Sequence, residues 1–419
     1  MSYKKKNDRC MKTTPDIFIK EFDYNLPEYR IAFYPLAERD KSKLLVYRAG
    51  KIESTTFDVL PDFLSDSSSL VLNNTRVIEA RILFQKQTGG IVEIFCLEPK
   101  DSFKNINEEL SREGSMQWKC FIGGASKWKH GEVLQKQVVV NGKPISLAAR
   151  FIEKNVDFFT IEFFWSPPEY PFIELMHAAG IMPLPPYIKR KPLEIDAERY
   201  QTIFAKTKGS VAAPTAALHF TPLVFENLNK KNINTLYVTL HVGAGTFKPI
   251  KTETIAEHQM HSERFHVSLR TLENLTVDTE YIAVGTTSLR TLESLYWIGI
   301  KIIKELLGPG KELILGQWEA YELKNENISF RESLRAIISL LKKENSEEAI
   351  CETSLLIIPG YKFYSAHALV TNFHQPKSTL LLLVAAFIGD NWKAVYDYAL
   401  KNEYRFLSYG DSSLLWREG

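Results

Sequence analysis

The chain has 419 residues, 45% of them hydrophobic, with 52 Lys+Arg against 50 Asp+Glu. That length suits two or three domains and a sizeable core, and the composition excludes a disordered or collagen-like chain. A net charge of +2 excludes a uniformly basic nucleic-acid coat, though not a nucleic-acid substrate held by one local patch.

The basic N-terminal run MSYKKKNDRC lacks an apolar stretch behind it, so no secretory signal is expected. The cysteines Cys10, Cys96, Cys120 and Cys351 form no CxxC pair, which points away from a disulfide framework and toward a reducing, cytoplasmic setting. LLVYRAGKIESTTF reads as a hairpin turning at Ala49–Gly50. From Leu70 to Trp165, β-branched and aromatic runs alternate with Gly and Asn. VLNN, RVIEARILF, GGIVEIFCL, MQWKCFIGG and VDFFTIEFFW are candidate strands there. Asn141–Gly142 marks a hairpin, and the polar stretch Asp101–Ser115 reads as a loop.

Beyond Pro167–Pro168 the texture becomes α/β. FIELMHAAG, TPLVFENLNKKN, SLRTLESLYWIG, ESLRAIISLLKK and STLLLLVAAFIG predict helices, and TLYVTLHV, YIAVGTTS, SLLIIPGY and HALVTNF predict strands. The apolar run Leu380–Ile388 is too short to span a bilayer and reads as a buried helix, so no membrane association is expected. The expected fold is α/β: a larger, distorted barrel-like α/β domain from residues 1–67 and 167–419, with an inserted all-β, barrel-like domain at 68–166.

Polar motifs crowd the α/β part. GSVAAPTAALHFT holds Thr215 and His219, HVGAGTFKP holds His241, Gly243, Gly245 and Thr246, and VTNFHQPKST holds Asn372 and His374. Open α/β sheets bind ligands at strand C-terminal ends, and glycines there allow close backbone approach. VGTTSLR places Thr286, Thr287 and Arg290 at a strand-to-helix junction, which suits either an anion or plain capping. In AEHQMHSE, Glu257, His258, His261 and Glu263 suit acid–base chemistry, metal ligation with His241, or a structural role. YRFLSYGD supplies Arg405 and Asp411, and Arg76 suits a phosphate or a domain-junction ion pair.

Between Gly114 and Arg150, Lys119, Lys127, Lys129, Lys136, Lys143 and Arg150 face only Glu132, with Trp118 and Trp128 interleaved. YIKRK adds Lys189, Arg190 and Lys191. Both stretches are candidate surfaces for a polyanion, Lys127 and Lys129 in the first, Lys189 and Arg190 in the second.

The ordered strings LVLNNTRVIEAR, MPLPPYIKR, YQTIFA, GSVAAPTAALHFT, TLHVGAGTFKPI, EHQMHSE, VGTTSLRTLES, TNFHQPKSTLLLLVAAF and YRFLSYGD resemble the S-adenosylmethionine:tRNA ribosyltransferase-isomerase family of queuosine biosynthesis, from about Asp16 to Leu415. Ala217 and Gln375 depart from the family's usual Gly and Leu. The resemblance implies transfer and isomerisation of the ribosyl moiety of S-adenosylmethionine onto 7-aminomethyl-7-deazaguanine at the tRNA wobble position. Epoxyqueuosine-tRNA, adenine and methionine are the implied products. It further implies an α/β domain carrying an inserted β-barrel, a consumed co-substrate with no separate cofactor, and no metal. With proton transfer required near neutral pH, His241, His258 and His261 become the catalytic candidates, with Glu257 and Glu263 to orient them. The substrate contacts fall to the other motif residues, and a monomer suffices for one anticodon arm.

Overall fold

The computed structural model describes residues 17–100, 106–156, 158–243, 250, 252–323 and 327–418. Two large sheets dominate it. In spatial order the ten strands of the larger are Leu313–Leu315, Glu348–Thr353, Glu263–Ser268, Asn234–Leu240, Ser69–Asn73, Tyr281–Val284, Ala368–Asn372, Ser412–Trp416, Lys43–Arg48 and Lys51–Thr56. Its four central strands, Asn234–Leu240 through Ala368–Asn372, run parallel. Ser69–Asn73, Tyr281–Val284 and Ala368–Asn372 are buried at every position, as expected of parallel strands covered on both faces.

Side-chain alternation sends these strands into two cores. On one face Val71, Ala283 and Leu369 pack with the helices Thr286–Ile303, Phe330–Lys343 and Thr379–Ile388. On the other, Leu70, Leu72, Ile282 and Val370 pack with Phe57, Phe220 and the helix Pro222–Lys230. Local signals set the helix starts: Thr221, Ser329 and Ser378 each accept a backbone N–H as N-caps. The hairpin expected at Ala49–Gly50 is present, with both residues at positive φ of 49° and 79°.

The smaller sheet is antiparallel, in the order Gly180–Ile181, Arg81–Gln85, Ile91–Pro99, Ser115–Gly123, Phe159–Ser166, Lys143–Lys154 and Val133–Val140. It curls until Arg81–Gln85 lies against Val133–Val140, but no backbone pairing closes it among the described residues. Asn141 and Gly142 make the expected hairpin. Cys96 and Cys120 are buried opposite one another as free thiols.

Three expectations change and one holds. Ser69–Asn73, grouped by composition with the β-rich region, lies at the centre of the larger sheet, because burial on both faces produces the same β-branched, apolar texture. The stretch read as a loop from Asp101 contains a short helix, Ile106–Leu110, while residues 101–105 lie outside the described residues. SLLIIPGY is buried but is not a strand. Its amides turn to Thr353 Oγ1, the Gln317 carbonyl and the Tyr321 hydroxyl, leaving the strand at Glu348–Thr353. The apolar run Leu380–Ile388 does form a buried helix. Together with Trp392–Lys401 it makes a 23-residue stretch apolar enough to cross a membrane by length and composition. Gly389, at φ 59°, breaks that stretch in two.

Candidate active site

Beyond the ends of Tyr281–Val284 and Ala368–Asn372 lies a cleft of about 730 Å³, part of it open to solvent. Thr215, Thr286, Thr287, Asn372 and His374 line it, joined by Tyr187, Gln375, Leu407 and Ser408. Sequence motifs pointed to the first five. Tyr187 and Ser408 escaped notice, although the strings YIKRK and LSYGD contain them. Their hydroxyls meet at 2.5 Å.

A directional chain of hydrogen bonds runs behind the cleft wall. Thr215 Oγ1 donates to Asn372 Oδ1 at 2.8 Å, which turns the Asn372 amide nitrogen toward His219 Nε2 at 3.4 Å. The His219 ring proton then sits on Nδ1, facing Ser42 Oγ at 3.0 Å and the Arg39 carbonyl at 3.3 Å. Burial pushes the His219 pKa down to about 4, and the charges of Arg405 and Arg39 act in the same direction. This imidazole is neutral at physiological pH and orients the amide that faces the cleft.

His374 is also neutral. Burial lowers its pKa to about 3, and Thr371 Oγ1 lies 2.9 Å from Nε2. Tyr396 and Tyr24 bond its backbone amide and carbonyl, so the residue is fixed from two sides. Thr286 and Thr287 open the 18-residue helix Thr286–Ile303, whose N-cap is Gly285 with no side-chain cap. Gly285 sits at φ 90° and ψ 148°, a region open almost only to glycine. The first amides of the helix and its dipole therefore face the cleft unmet by a capping side chain.

Val242, just past the strand Asn234–Leu240, lines the same cleft, and its neighbour His241 is not among the lining residues. His241 Nδ1 meets Thr75 Oγ1 at 2.9 Å, while Nε2 is buried with no partner among the described residues. Burial and the adjacent His266 lower its pKa to about 3. Gly209 makes room for the ring: a Cβ there would lie 3.0 Å from His241 Cε1. Gly243 follows on the same segment, whereas Gly245 and Thr246 lie outside the described residues.

The AEHQMHSE turn is pinned by Gln317, which donates to the His258 carbonyl and accepts from the Met260 amide. His258 is half-buried, and His261 and Glu257 are exposed. Burial and then His261 depress the His258 pKa. Glu263, expected to orient a histidine, forms a buried ion pair with Arg290 instead. That pair ties the histidine turn to the helix whose N-terminus lines the cleft. Among the described residues no group of three or more His, Cys, Asp or Glu side chains is placed to hold a metal ion.

Asp411 is buried, and its carboxylate accepts the amides of Arg405 at 2.8 Å and Lys43 at 3.1 Å. It thereby closes the 405–411 loop and fixes Leu407 at φ 71° beside the cleft. Arg76 is exposed on Thr75–Val77, opposite Lys208 of the paired strand.

Both candidate polyanion surfaces are altered by their partners. Trp118 and Trp128 are buried in the smaller sheet's core, so neither is a stacking surface. Lys119 pairs with Glu98, Arg150 with Glu162, and Lys136 donates to the Ala179 carbonyl. Lys127 and Lys129 remain exposed. In YIKRK, Arg190 makes a two-point ion pair with buried Asp196 at 2.7 and 2.8 Å, and Lys189 pairs with Glu28 at the surface.

A family model described as a queuosine biosynthesis protein matches residues 19–415. The S-adenosylmethionine:tRNA ribosyltransferase-isomerase of Azoarcus sp. (strain BH72) is 36% identical over 404 residues, covering 95% of this chain and 97% of the relative. The enzyme of the same name from Dechloromonas aromatica (strain RCB) is 37% identical over 406 residues, covering 96% and 97%. The crystal structure of S-adenosylmethionine tRNA ribosyltransferase from Thermotoga maritima shares 27% identity, covers 94% of this chain and 99% of its own, and superposes with a TM-score of 0.44.

Proposed function

The chain belongs to the queuosine biosynthesis protein family, and from that premise we propose that it is an S-adenosylmethionine:tRNA ribosyltransferase-isomerase. It transfers and isomerises the ribosyl moiety of S-adenosylmethionine onto 7-aminomethyl-7-deazaguanine at the tRNA wobble position. Epoxyqueuosine-tRNA, adenine and methionine are the products. The observation that carries this reading is the cleft walled by Thr215, Asn372 and the start of Thr286–Ile303. The polar groups fixed in its wall are uncharged, Thr215, Thr286, Thr287, Asn372 and neutral His374 among them.

The reaction begins at the carbon between sulfonium and ribose, whose protons the positive sulfur acidifies. A base removes one, and the resulting ylide expels adenine. The neutral aminomethyl nitrogen of the tRNA base then bonds to the opened sugar, and closure to the epoxide displaces methionine. His258 and His261 suit the first proton transfer, being imidazoles on a turn that leaves one half-buried and the other exposed and that is tied to the helix at the cleft. His241, at about 3, is too weak a base in its buried setting. Glu263 and Arg290 act by holding the histidine turn against the helix. S-adenosylmethionine is consumed, no further cofactor enters, and a cytoplasmic monomer suffices.

Incubation with S-adenosylmethionine and tRNA bearing the aminomethyl base, followed by nucleoside mass analysis, tests the assignment. Epoxyqueuosine and stoichiometric adenine are expected. S-adenosylhomocysteine as product, or no adenine from folded protein, would overturn it. Alanine at His258 and His261 together should slow adenine release by about 100-fold or more.

A further inference from the structure

Behind the cleft lies a second hollow of about 280 Å³, part of it open to solvent. The two share Ser408, and the partition between them is the hydrogen-bonded pair Asn372–His219, with Asn372 on the cleft side and His219 on the other. The hollow's wall carries three guanidinium groups, Arg39, Arg199 and Arg405, and no carboxylate. Main-chain carbonyls hold all three, Arg405 donating to that of Tyr34 at 3.3 Å. Arg39 donates to the Gln201 carbonyl at 3.1 Å, and Arg199 donates to those of Ala37 at 3.1 Å and Leu36 at 2.6 Å. Such bonds fix direction without cancelling charge.

Nearby acids offset part of that charge. Asp411 lies 3.5 Å from Arg405 and offsets its charge, whereas Arg39 and Arg199 make no ion pair among the described residues. Asp40 accepts from Thr221, and Glu198 is exposed to solvent. Arg199 Nε is buried with no partner among the described residues. Burial, and then the charge of Arg199, depress the Arg39 pKa. Half-buried like charges around an empty space are unfavourable until an anion occupies it.

We propose that this hollow is an oxyanion subsite, in which Arg39, Arg199 and Arg405 bind an anionic group of a substrate whose reacting part lies in the adjoining cleft. The identity of that substrate rests on the function proposed above; the anion preference does not. Two groups share the required chemistry: a phosphodiester of the tRNA strand, and the carboxylate at the amino-acid end of S-adenosylmethionine. Forked guanidinium donors suit both.

Inorganic phosphate is the first probe, titrated against thermal unfolding at constant ionic strength. It should raise the melting temperature of the unaltered protein and lose that effect in the double variant Arg39→Gln/Arg199→Gln. Equal responses in the two proteins would overturn the subsite. This readout holds even if the unaltered protein releases no adenine, which would count against the enzymatic assignment alone. Binding of each substrate then identifies the source. Loss of tRNA affinity by about tenfold with a flatter salt dependence indicates a phosphodiester, and a similar loss for S-adenosylmethionine alone indicates the carboxylate. Unchanged affinity for phosphate and for both substrates would refute the proposal. Should the double variant fail to fold, phenylglyoxal labelling of the unaltered protein replaces it. Phosphate should slow modification of Arg39 and Arg199 by about threefold or more, and unprotected labelling of both would refute the subsite.

Discussion

At the scale of single residues, the site is built on histidines kept neutral by burial. His219, His374 and His241 have pKa values near 4, 3 and 3 in the folded chain, against 6.5 when unfolded. Below pH 6.5 the unfolded chain therefore binds protons that the folded chain refuses, and stability falls as pH drops toward 4. Each such imidazole contributes a slope of about 1.4 kcal/mol per pH unit in that window. Urea unfolding between pH 7 and pH 4 should show the decline, and His374→Gln should make it shallower. A slope unchanged in that variant would mean that His374 titrates normally. Asn372→Ala removes the partner of both Thr215 and His219. It should lower kcat/KM for adenine release by about tenfold to 100-fold while costing about 1–3 kcal/mol of stability, measurable by steady-state kinetics and calorimetry on one preparation.

These residues differed in how far the sequence revealed them. Asn372 and His374 stand in a motif at a strand end, where ligand contacts are expected, Thr215 stands in a polar motif on a short turn, and the cleft gathers all three. The Tyr187–Ser408 contact joins positions 221 residues apart, and no local pattern records such a meeting. Trp118 was misread for a different reason. Its strand alternates buried Met116, Trp118 and Cys120 with outward Gln117 and Lys119. Attention to that period of two would have sent the tryptophan inward and left the lysine alone at the surface.

Among the elements, the helix Thr286–Ile303 links the chemistry to the core. Its first turn lines the cleft, its body is buried through Lys301, and Arg290 couples it to the histidine turn. Gly285→Ala would force an alanine into a backbone region it rarely occupies, costing about 1–3 kcal/mol. The variant should melt several degrees lower and show a raised KM for S-adenosylmethionine, and a wild-type melting temperature would show that the turn relaxes without strain. Elements of this kind were readable from the sequence because caps and apolar periods are local. The strand Ser69–Asn73 was readable as a strand but not as a member of the larger sheet. Membership depends on partners at Asn234–Leu240 and Tyr281–Val284, far along the chain.

Over the whole molecule, the near balance of 52 cations and 50 anions is also local. Glu98 and Glu162 on neighbouring strands neutralise Lys119 and Arg150 of the basic stretch at 114–150, leaving Lys143 exposed in its hairpin and Lys127 and Lys129 exposed on the 124–131 turn. Charge reversal at Lys127 and Lys129 should weaken tRNA binding and reduce the slope of log affinity against log salt by about 0.7 for each lost phosphate contact. S-adenosylmethionine affinity should stay unchanged. An unaltered salt slope would place the anticodon arm elsewhere on the surface.

The position of Ser412–Trp416 in the larger sheet has a consequence for how the protein is made. This strand lies between Ala368–Asn372 and Lys43–Arg48, and among the described residues the hairpin Lys43–Thr56 joins the sheet only through it. During synthesis the hairpin emerges early and waits for more than 350 residues of chain before its neighbour exists. Until then two strand edges stand unpaired, templates for wrong partners. Nascent chains should therefore depend on holding chaperones, and a ribosome stalled before Ser412 would carry a sheet in two unjoined pieces.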